Sequence, residues 1–122
     1  MSINYLITGA NRGIGLALTA EVLKNKEKVI SLCRESSDLD KLISLQNTNP
    51  GRVELYKADV AVENDLINAS KNIERLDVLV CNAGIMGARG SMTDKDNDYN
   101  GISDVLMTNV AGPFFTIRAF LN

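Results

Sequence analysis

The sequence has no histidine, no block of clustered lysine or arginine, and no apolar run near the ~20 residues that a membrane-spanning helix needs. Its formal net charge of −2 gives no electrostatic footprint for nucleic acid. We therefore expect neither a membrane partner nor a nucleic-acid partner. Because histidine is missing, any side chain that acts as a proton donor must be a tyrosine, a lysine or a carboxyl group.

Cysteine is scarce, and both cysteines lie in apolar strand-like runs. A thiol in such a run packs as a small hydrophobe, so Cys33 and Cys81 are expected to be buried and reduced. Met1 leads almost directly into the first strand-like segment, so no signal peptide is expected. These features together favour a cytoplasmic protein.

What the sequence does contain is an alternation of apolar, strand-length runs with segments of helical period. That alternation is typical of βα units stacked on a parallel sheet. The expected strands cover residues 3–8, 28–33, 52–57 and 76–82, and the expected helices cover 14–24, 38–46, 63–73 and 102–121, with a polar loop at 84–100. We therefore predict one α/β domain over residues 1–122, with a doubly wound parallel sheet built from four βα units.

The predicted helices carry apolar residues at helical spacing. One apolar side is formed by Ile14, Leu18 and Val22 in the first helix and by Leu39, Leu42 and Ile43 in the second, while Leu66, Ile67 and Ile73 are expected to face inward in the third. In the last helix one stripe contains Ile102, Val105, Leu106, Asn109, Val110 and Ile117.

Three glycines follow the first predicted strand, at positions 9, 13 and 15. After a parallel strand the backbone must turn sharply and present N–H groups at a helix N-terminus, where they attract an anion. Gly9 is expected to make the turn, Gly13 to let a pyrophosphate approach the backbone, and Gly15 to let the helix pack against the sheet. A glycine-rich turn without a ligand is the alternative, but the context of strand, turn and amphipathic helix favours a dinucleotide site.

The segment TGANRGIG, residues 8–15, resembles the T-G-x-x-x-G-x-G cofactor motif of the short-chain dehydrogenase/reductase family. Three further segments resemble motifs of that family in the same order: ADV at 58–60, CNAG at 81–84, where Cys81 replaces an asparagine, and TNVAGPFF at 108–115. The resemblance covers the N-terminal part of a family member and implies a Rossmann fold. LCRES at 32–36 and TNVAGPF look most like small carbonyl reductases related to the C-factor and sniffer proteins.

The resemblance implies an oxidoreductase that interconverts carbonyl and alcohol groups by hydride transfer with a nicotinamide cofactor. The residues that it assigns to the cofactor are Gly9, Asn11, Arg12, Gly13, Ile14, Gly15, Asp59, Val60, Asn82, Ala83 and Gly84, with the aspartate at the adenine ring. The substrate of the full-length form would be a small-molecule carbonyl.

Charge near the end of the second strand favours NADP over NAD. Selection of NAD needs a carboxylate there, whereas the 2′-phosphate of NADP needs positive charge. Cys33 occupies the strand end where the family's NAD enzymes carry aspartate, and Arg12 and Arg34 are placed to bind a phosphate. Glu35 is the contrary signal, because it lies about 20 residues past the glycine turn, where an acid would select NAD. Two solvated arginines without a ligand are the alternative.

The family's catalytic Tyr-x-x-x-Lys pair is missing, since none of Tyr5, Tyr56 and Tyr99 has a lysine four residues later. Of the family's catalytic residues, this chain is expected to keep Asn109. Pro113 has no N–H to bond the Asn109 carbonyl in an α-helix, and the resemblance gives that carbonyl a water that leads to the catalytic lysine. A packing kink is the alternative. Tyr99 or Lys95, from the polar loop, stays open as a proton donor.

The acidic residues near the last helix allow a second interpretation. Asp96, Asp98, Asn100, Gly101 and Asp104 match an EF-hand calcium loop, but Met107 stands where the bidentate glutamate belongs. We therefore expect no metal, and interpret the acids as a solvated loop before a helix N-terminus. A non-catalytic dinucleotide-binding or partner-binding protein is the alternative function. The resemblance also places the last helix between subunits, which would make a homo-oligomer through this helix.

Overall fold

The computed structural model describes residues 2–35 and 37–121. Three residues lie outside the described residues: Met1, Ser36 and Asn122. Met1 and Asn122 are the ends of the predicted domain, and Ser36 is the last residue of LCRES. The elements are β1 (Asn4–Thr8), α1 (Gly13–Lys24), β2 (Lys28–Cys33), α2 (Asp40–Thr48), β3 (Val53–Lys57), α3 (Glu63–Lys71), β4 (Val78–Val80), α4 (Tyr99–Leu106), a π-helical segment (Met107–Ala111) and α5 (Gly112–Phe120).

The four strands form one parallel sheet in the order β3-β2-β1-β4. β1 is flanked on both sides, since Leu6 pairs with Ile30 of β2 and with Leu79 of β4. The chain adds β2 and β3 on one side of β1 and then returns to add β4 on the other. A sheet that reverses its order in this way opens a crevice at the carboxyl ends of its strands. The predicted parallel α/β fold is confirmed.

Strand alternation divides the core between the two faces of the sheet. Leu6 of β1 packs in one apolar cluster with Leu66 of α3, and partly buried side chains of α5 complete it. Ile7, the next residue, packs in a second cluster on the opposite face with Leu23 of α1 and Leu42 of α2. Because helices cover both faces, the sheet is doubly wound as predicted.

Part of the apolar side of each of the first three helices is exposed. Ile14 is 73% exposed, and Leu18 and Ile43 are also exposed. Ile67 of α3 is exposed as well, contrary to its predicted inward position. α1 instead buries Gly15, Thr19 and Leu23, because a side with small residues lets the helix approach the sheet closely.

The last helix also differs from the prediction. It begins at Tyr99, three residues early, because the Asp98 carboxylate caps it by accepting a hydrogen bond from the Gly101 N–H at 2.8 Å. Residues 107–111 are π-helical, so the predicted single helix is two α-helices joined by a wider turn. Most of the predicted stripe is exposed: Ile102, Leu106, Val110 and Ile117, continued by Phe114 and Leu121.

The two cysteines have different environments. Cys33, the last residue of β2, is buried as predicted. Cys81 is exposed, contrary to the prediction, because β4 ends at Val80 and is an edge strand among the described residues. In residues 2–35 and 37–121, no helix has the length and apolar character that a bilayer crossing requires.

Candidate functional site

A cavity of about 480 Å³ lies at the carboxyl ends of the strands and draws residues from the segments that follow all four of them. Eleven residues predicted for the cofactor line it: Gly9, Asn11, Arg12, Gly13, Ile14, Arg34, Asp59, Val60, Asn82, Ala83 and Gly84. Cavities of roughly 300–1,000 Å³ are typical of small-molecule and cofactor sites. The fold therefore brings together, at one sheet edge, groups that are up to 75 residues apart in sequence.

The three glycines of the turn differ in what surrounds them. Gly9 has a φ of +66° and Gly13 a φ of +55°, so both backbones adopt the left-handed conformation. A Cβ added at Gly13 would meet no atom within 4 Å, which means that this residue borders open space in the cavity. At Gly15 a Cβ would lie 2.1 Å from the Gly9 carbonyl oxygen. Gly15 is thus a packing glycine behind the cavity, as its predicted role in helix packing requires.

Side-chain hydrogen bonds fix the ends of β1 and β4 to each other. The Thr8 hydroxyl oxygen accepts from the backbone N–H groups of Asn82, at 3.0 Å, and Ala83, at 2.9 Å. The Asn82 amide donates to the carbonyls of Thr8, at 3.1 Å, and Gly9, at 3.2 Å. Asn82 therefore lines the cavity while its side-chain amide holds the glycine turn in place.

Asn109 holds the loop that follows β4. Its Oδ1 accepts from the Ile85 N–H at 2.8 Å, and its Nδ2 donates to the Ile85 carbonyl at 2.8 Å. Both hydrogen-bonding groups of the side chain are thus paired with one backbone residue, which itself lines the cavity. The sequence analysis predicted a catalytic role for Asn109, but it did not predict the two hydrogen bonds between its side chain and the Ile85 backbone.

The prediction for the Asn109 carbonyl assumed a continuous α-helix through Pro113. Residues 107–111 instead form the π-helical segment, and α5 begins at Gly112, directly before Pro113. The free carbonyl of Asn109 therefore stays a prediction.

Tyr99 and Lys95, the alternative proton donors, lie outside the lining of the large cavity. Tyr99 is 94% exposed, and Lys95 is exposed as well. Neither contributes to the lining of the cavity at the strand ends. Asn100, Gly101 and Asp104 lie within α4, so the segment that matched a calcium loop in sequence is largely helical.

A second cavity of about 370 Å³ adjoins the first and is rich in positive charge. It is lined by Asn11, Arg12, Arg34, Ser37, Asp38 and Lys41. Its lining therefore contains three cationic side chains, those of Arg12, Arg34 and Lys41, and one acidic side chain, that of Asp38. Lys41 and Ser37 were not singled out from the sequence, although their position shortly after the second strand could have indicated them.

The acid at this cavity is Asp38 rather than Glu35, which the sequence offered as the contrary signal. The Asp38 carboxylate accepts from the Asp40 N–H at 3.0 Å, at the start of α2. The Asp38 carbonyl accepts from the buried Asn11 amide at 2.9 Å, which ties the glycine turn to the loop after β2. One of the two carboxylate oxygens of Asp38 is thus bonded to the first residue of α2.

Cys33, the last residue of β2, is an uncharged part of the lining of the large cavity. Burial raises the pKa of its thiol above the ordinary value, an effect that the nearby backbone N–H groups of Ala10 and Asn11 reduce. The thiol therefore stays protonated near neutral pH, and Cys33 places no negative charge in the cavity.

The family model described as short chain dehydrogenase matches residues 4–122. The chain belongs to the short-chain dehydrogenase/reductase family. It is 30% identical to the short chain dehydrogenase gsfK of Penicillium aethiopicum, over 99% of this chain and 50% of that protein. It is 35% identical to the farnesol dehydrogenase of Aedes aegypti, over 88% of this chain and 45% of that protein.

Solved structures share the fold of this chain. The structure of ElxO with NADP bound has a TM-score of 0.83 and 30% identity, and covers 99% of this chain and 50% of ElxO. A short-chain dehydrogenase from Streptomyces avermitilis has a TM-score of 0.86 and 26% identity, over 99% of this chain and 44% of that one. This member of the short-chain dehydrogenase/reductase family thus spans about half the length of the relatives it matches.

Proposed function

We propose that this chain forms the NADP(H)-binding part of an oxidoreductase that interconverts carbonyl and alcohol groups. The observation that carries the proposal is the junction of the two cavities, because an elongated cleft at the strand ends continues into a pocket with three cations. The open space beside Gly13 fits the group, since the backbone there can be approached by a pyrophosphate that any side chain would block. NADP(H), when bound, supplies or accepts the hydride.

Each part of the cleft has residues suited to one part of the dinucleotide. The glycine turn and the N-terminus of α1 would hold the pyrophosphate. Asp59 and Val60, after β3, would contact the adenine. Ala83 and Gly84, after β4, would lie toward the nicotinamide.

The preference for NADP(H) follows from charge. Arg12, Arg34 and Lys41 can neutralise the 2′-phosphate, and arginine binds phosphate oxygens in a bidentate manner. A ribose 2′-hydroxyl would instead need a free acceptor at the end of β2, where Cys33 offers a protonated thiol. The one acid at this pocket, Asp38, accepts from the Asp40 N–H through one oxygen and is outnumbered by three cationic side chains.

The test compares charge variants with two nucleotides. We expect Arg12→Ala, Arg34→Ala and Lys41→Ala each to weaken NADPH binding by about tenfold, because a hydrogen bond to a charged group contributes roughly 1.5–3 kcal/mol. NADH binding should change little. Lys71→Ala, in the last turn of α3, removes the same charge away from the cavities and serves as control. Equal losses for both nucleotides, or none, would refute the proposed role of these cations.

The catalytic part of the proposal concerns positioning. Asn109 would act through the Ile85 backbone at the nicotinamide end of the cleft, and we retain its place in a proton relay as a proposal for a longer form. A general acid contributes about 10²–10⁴-fold to a rate, and this sequence has no Tyr-x-x-x-Lys pair. We therefore expect the 122-residue chain to bind NADPH without reducing aldehydes or ketones. NADPH oxidation with a carbonyl panel measures this, and the alternative of a binding protein predicts the same result even in a longer form.

A further inference from the structure

The third residue of α3 reaches back to the strand before it. Asp65 Oδ2 accepts from the backbone N–H of Asp59 at 3.0 Å. An acid at this helix position ordinarily bonds the N–H of the N-cap residue, which here is Val62. The bond to residue 59 lies three residues further back, so the carboxylate of Asp65 closes the whole turn between β3 and α3.

Asp59, at the other end of this bond, is held at several atoms. Its Oδ1 accepts from the Ala61 N–H at 2.9 Å, and its carbonyl accepts from the Val62 N–H at 2.9 Å. Its second carboxylate oxygen, Oδ2, makes no hydrogen bond to any residue that the structure describes. Asp59 lines the large cavity, and this oxygen is its one carboxylate oxygen without a hydrogen-bond partner among the described residues.

We infer that Asp65 is a positioning residue for recognition of the base, an inference that rests on the proposed NADP(H) function. By holding the N–H of Asp59, the Asp65 carboxylate fixes the place from which Asp59 Oδ2 accepts a hydrogen bond from the 6-amino group of adenine. A base with a carbonyl at that position presents an acceptor to an acceptor, and the site rejects it.

The readout is a selectivity ratio rather than an affinity. NADPH and its hypoxanthine analogue, which carries a carbonyl in place of the 6-amino group, are titrated against the chain by calorimetry. The unaltered chain should prefer NADPH by about tenfold, the ratio expected for one hydrogen bond to a charged group. Asp65→Ala should reduce that preference to about twofold or less, whereas Asp65→Asn keeps an acceptor oxygen and should preserve it.

A matched control separates positioning from helix stability. Glu63 is the other acid in the first turn of α3 and borders a groove on the α3–α5 surface, away from the large cavity. Glu63→Ala removes the same charge from the first turn of α3 and should leave the base preference unchanged, because Asp65 rather than Glu63 bonds the N–H of Asp59. If Asp65→Ala does not fold, Asp65→Ser replaces it, because its hydroxyl ends one bond short of the carboxylate oxygens.

The outcomes are distinguishable. A folded Asp65→Ala or Asp65→Ser variant with the full base preference overturns the inference and leaves the proposed function intact. An unaltered chain that binds neither nucleotide overturns the proposed function itself. Loss of preference in Asp65→Asn as well as in Asp65→Ala would contradict a role that depends on the acceptor oxygen.

Discussion

At the scale of single residues, neighbouring glycines serve different purposes. Gly15 is required by packing, since a side chain there would overlap the Gly9 carbonyl and the Asn82 amide. Gly13 borders open space, so its surroundings alone would accept a side chain. Because Gly13 also lines the large cavity, we propose that the open space beside it is space that the ligand, rather than the protein, needs.

Replacing Gly13 by valine should therefore abolish NADPH binding, because a branched side chain would occupy the space of the pyrophosphate. The backbone strain of this change is reproduced by Gly51→Val, since Gly51 has a φ of +77° and likewise no atom within 4 Å of an added Cβ. Gly51→Val should bind NADPH normally. Calorimetric titration of both folded variants decides the matter, and undiminished binding by Gly13→Val would show that the turn is only structural.

At the scale of elements, the sequence predicts strands better than helix surfaces. Strands of a parallel sheet are covered on both faces, so their continuous apolar runs mark them, and β2 agrees with its predicted bounds. Helix surfaces were predicted from large apolar residues, but α1 packs through Gly15 and Thr19, and Ile14 lines the cavity instead. The π-helical segment could not be predicted, because Pro113 indicates that the helix is perturbed without specifying a kink, a break or a wider turn.

The start of α5 gives an element-scale prediction. A Cβ on Gly112 would lie 2.9 Å from the Val60 Cγ2, so α5 packs directly against the wall of the large cavity. Gly112→Ala should lower the free energy of unfolding by about 1–3 kcal/mol, the usual cost of overpacking. Val60→Ala makes room for the new methyl group, so the double variant should be more stable than the sum of the single changes predicts.

Chemical denaturation of the four proteins in that cycle measures the coupling between the two positions. Additive effects would mean that the contact between α5 and the cavity wall is not what requires glycine.

At the scale of the whole molecule, the candidate site was largely predictable because its residues follow strands, and parallel strands end at one edge. The pocket around Lys41 and Asp38 could not be predicted, because its position depends on where the loop after β2 lies. That loop is held by the hydrogen bond from the Asn11 amide to the Asp38 carbonyl, which joins segments distant in sequence. The resemblance places the last helix between subunits. Its apolar side, from Ile102 to Leu121, has no cover among the described residues.

We expect the chain to self-associate through this apolar side of α4 and α5. Val110 and Phe114 are each 62% exposed and lie one helical turn apart, so charged replacements there should oppose burial between two copies. Sedimentation velocity should show dimers or larger species for the unaltered chain and a shift toward monomer for Val110→Glu with Phe114→Glu. Lys71→Glu, at the end of α3 and away from this apolar side, introduces a glutamate elsewhere on the surface and serves as the control. A monomer that unfolds cooperatively without these changes would contradict the expectation.

The most direct test of the central claim is calorimetric titration of the unaltered chain with NADPH and with NADH under the same conditions. The arrangement of the glycine turn beside Arg12, Arg34 and Lys41 predicts saturable binding of NADPH at one site per chain. NADH should bind at least about tenfold more weakly, because it lacks the phosphate that these cations would neutralise. Equal affinities, or no saturable binding of NADPH by the folded chain, would contradict the account.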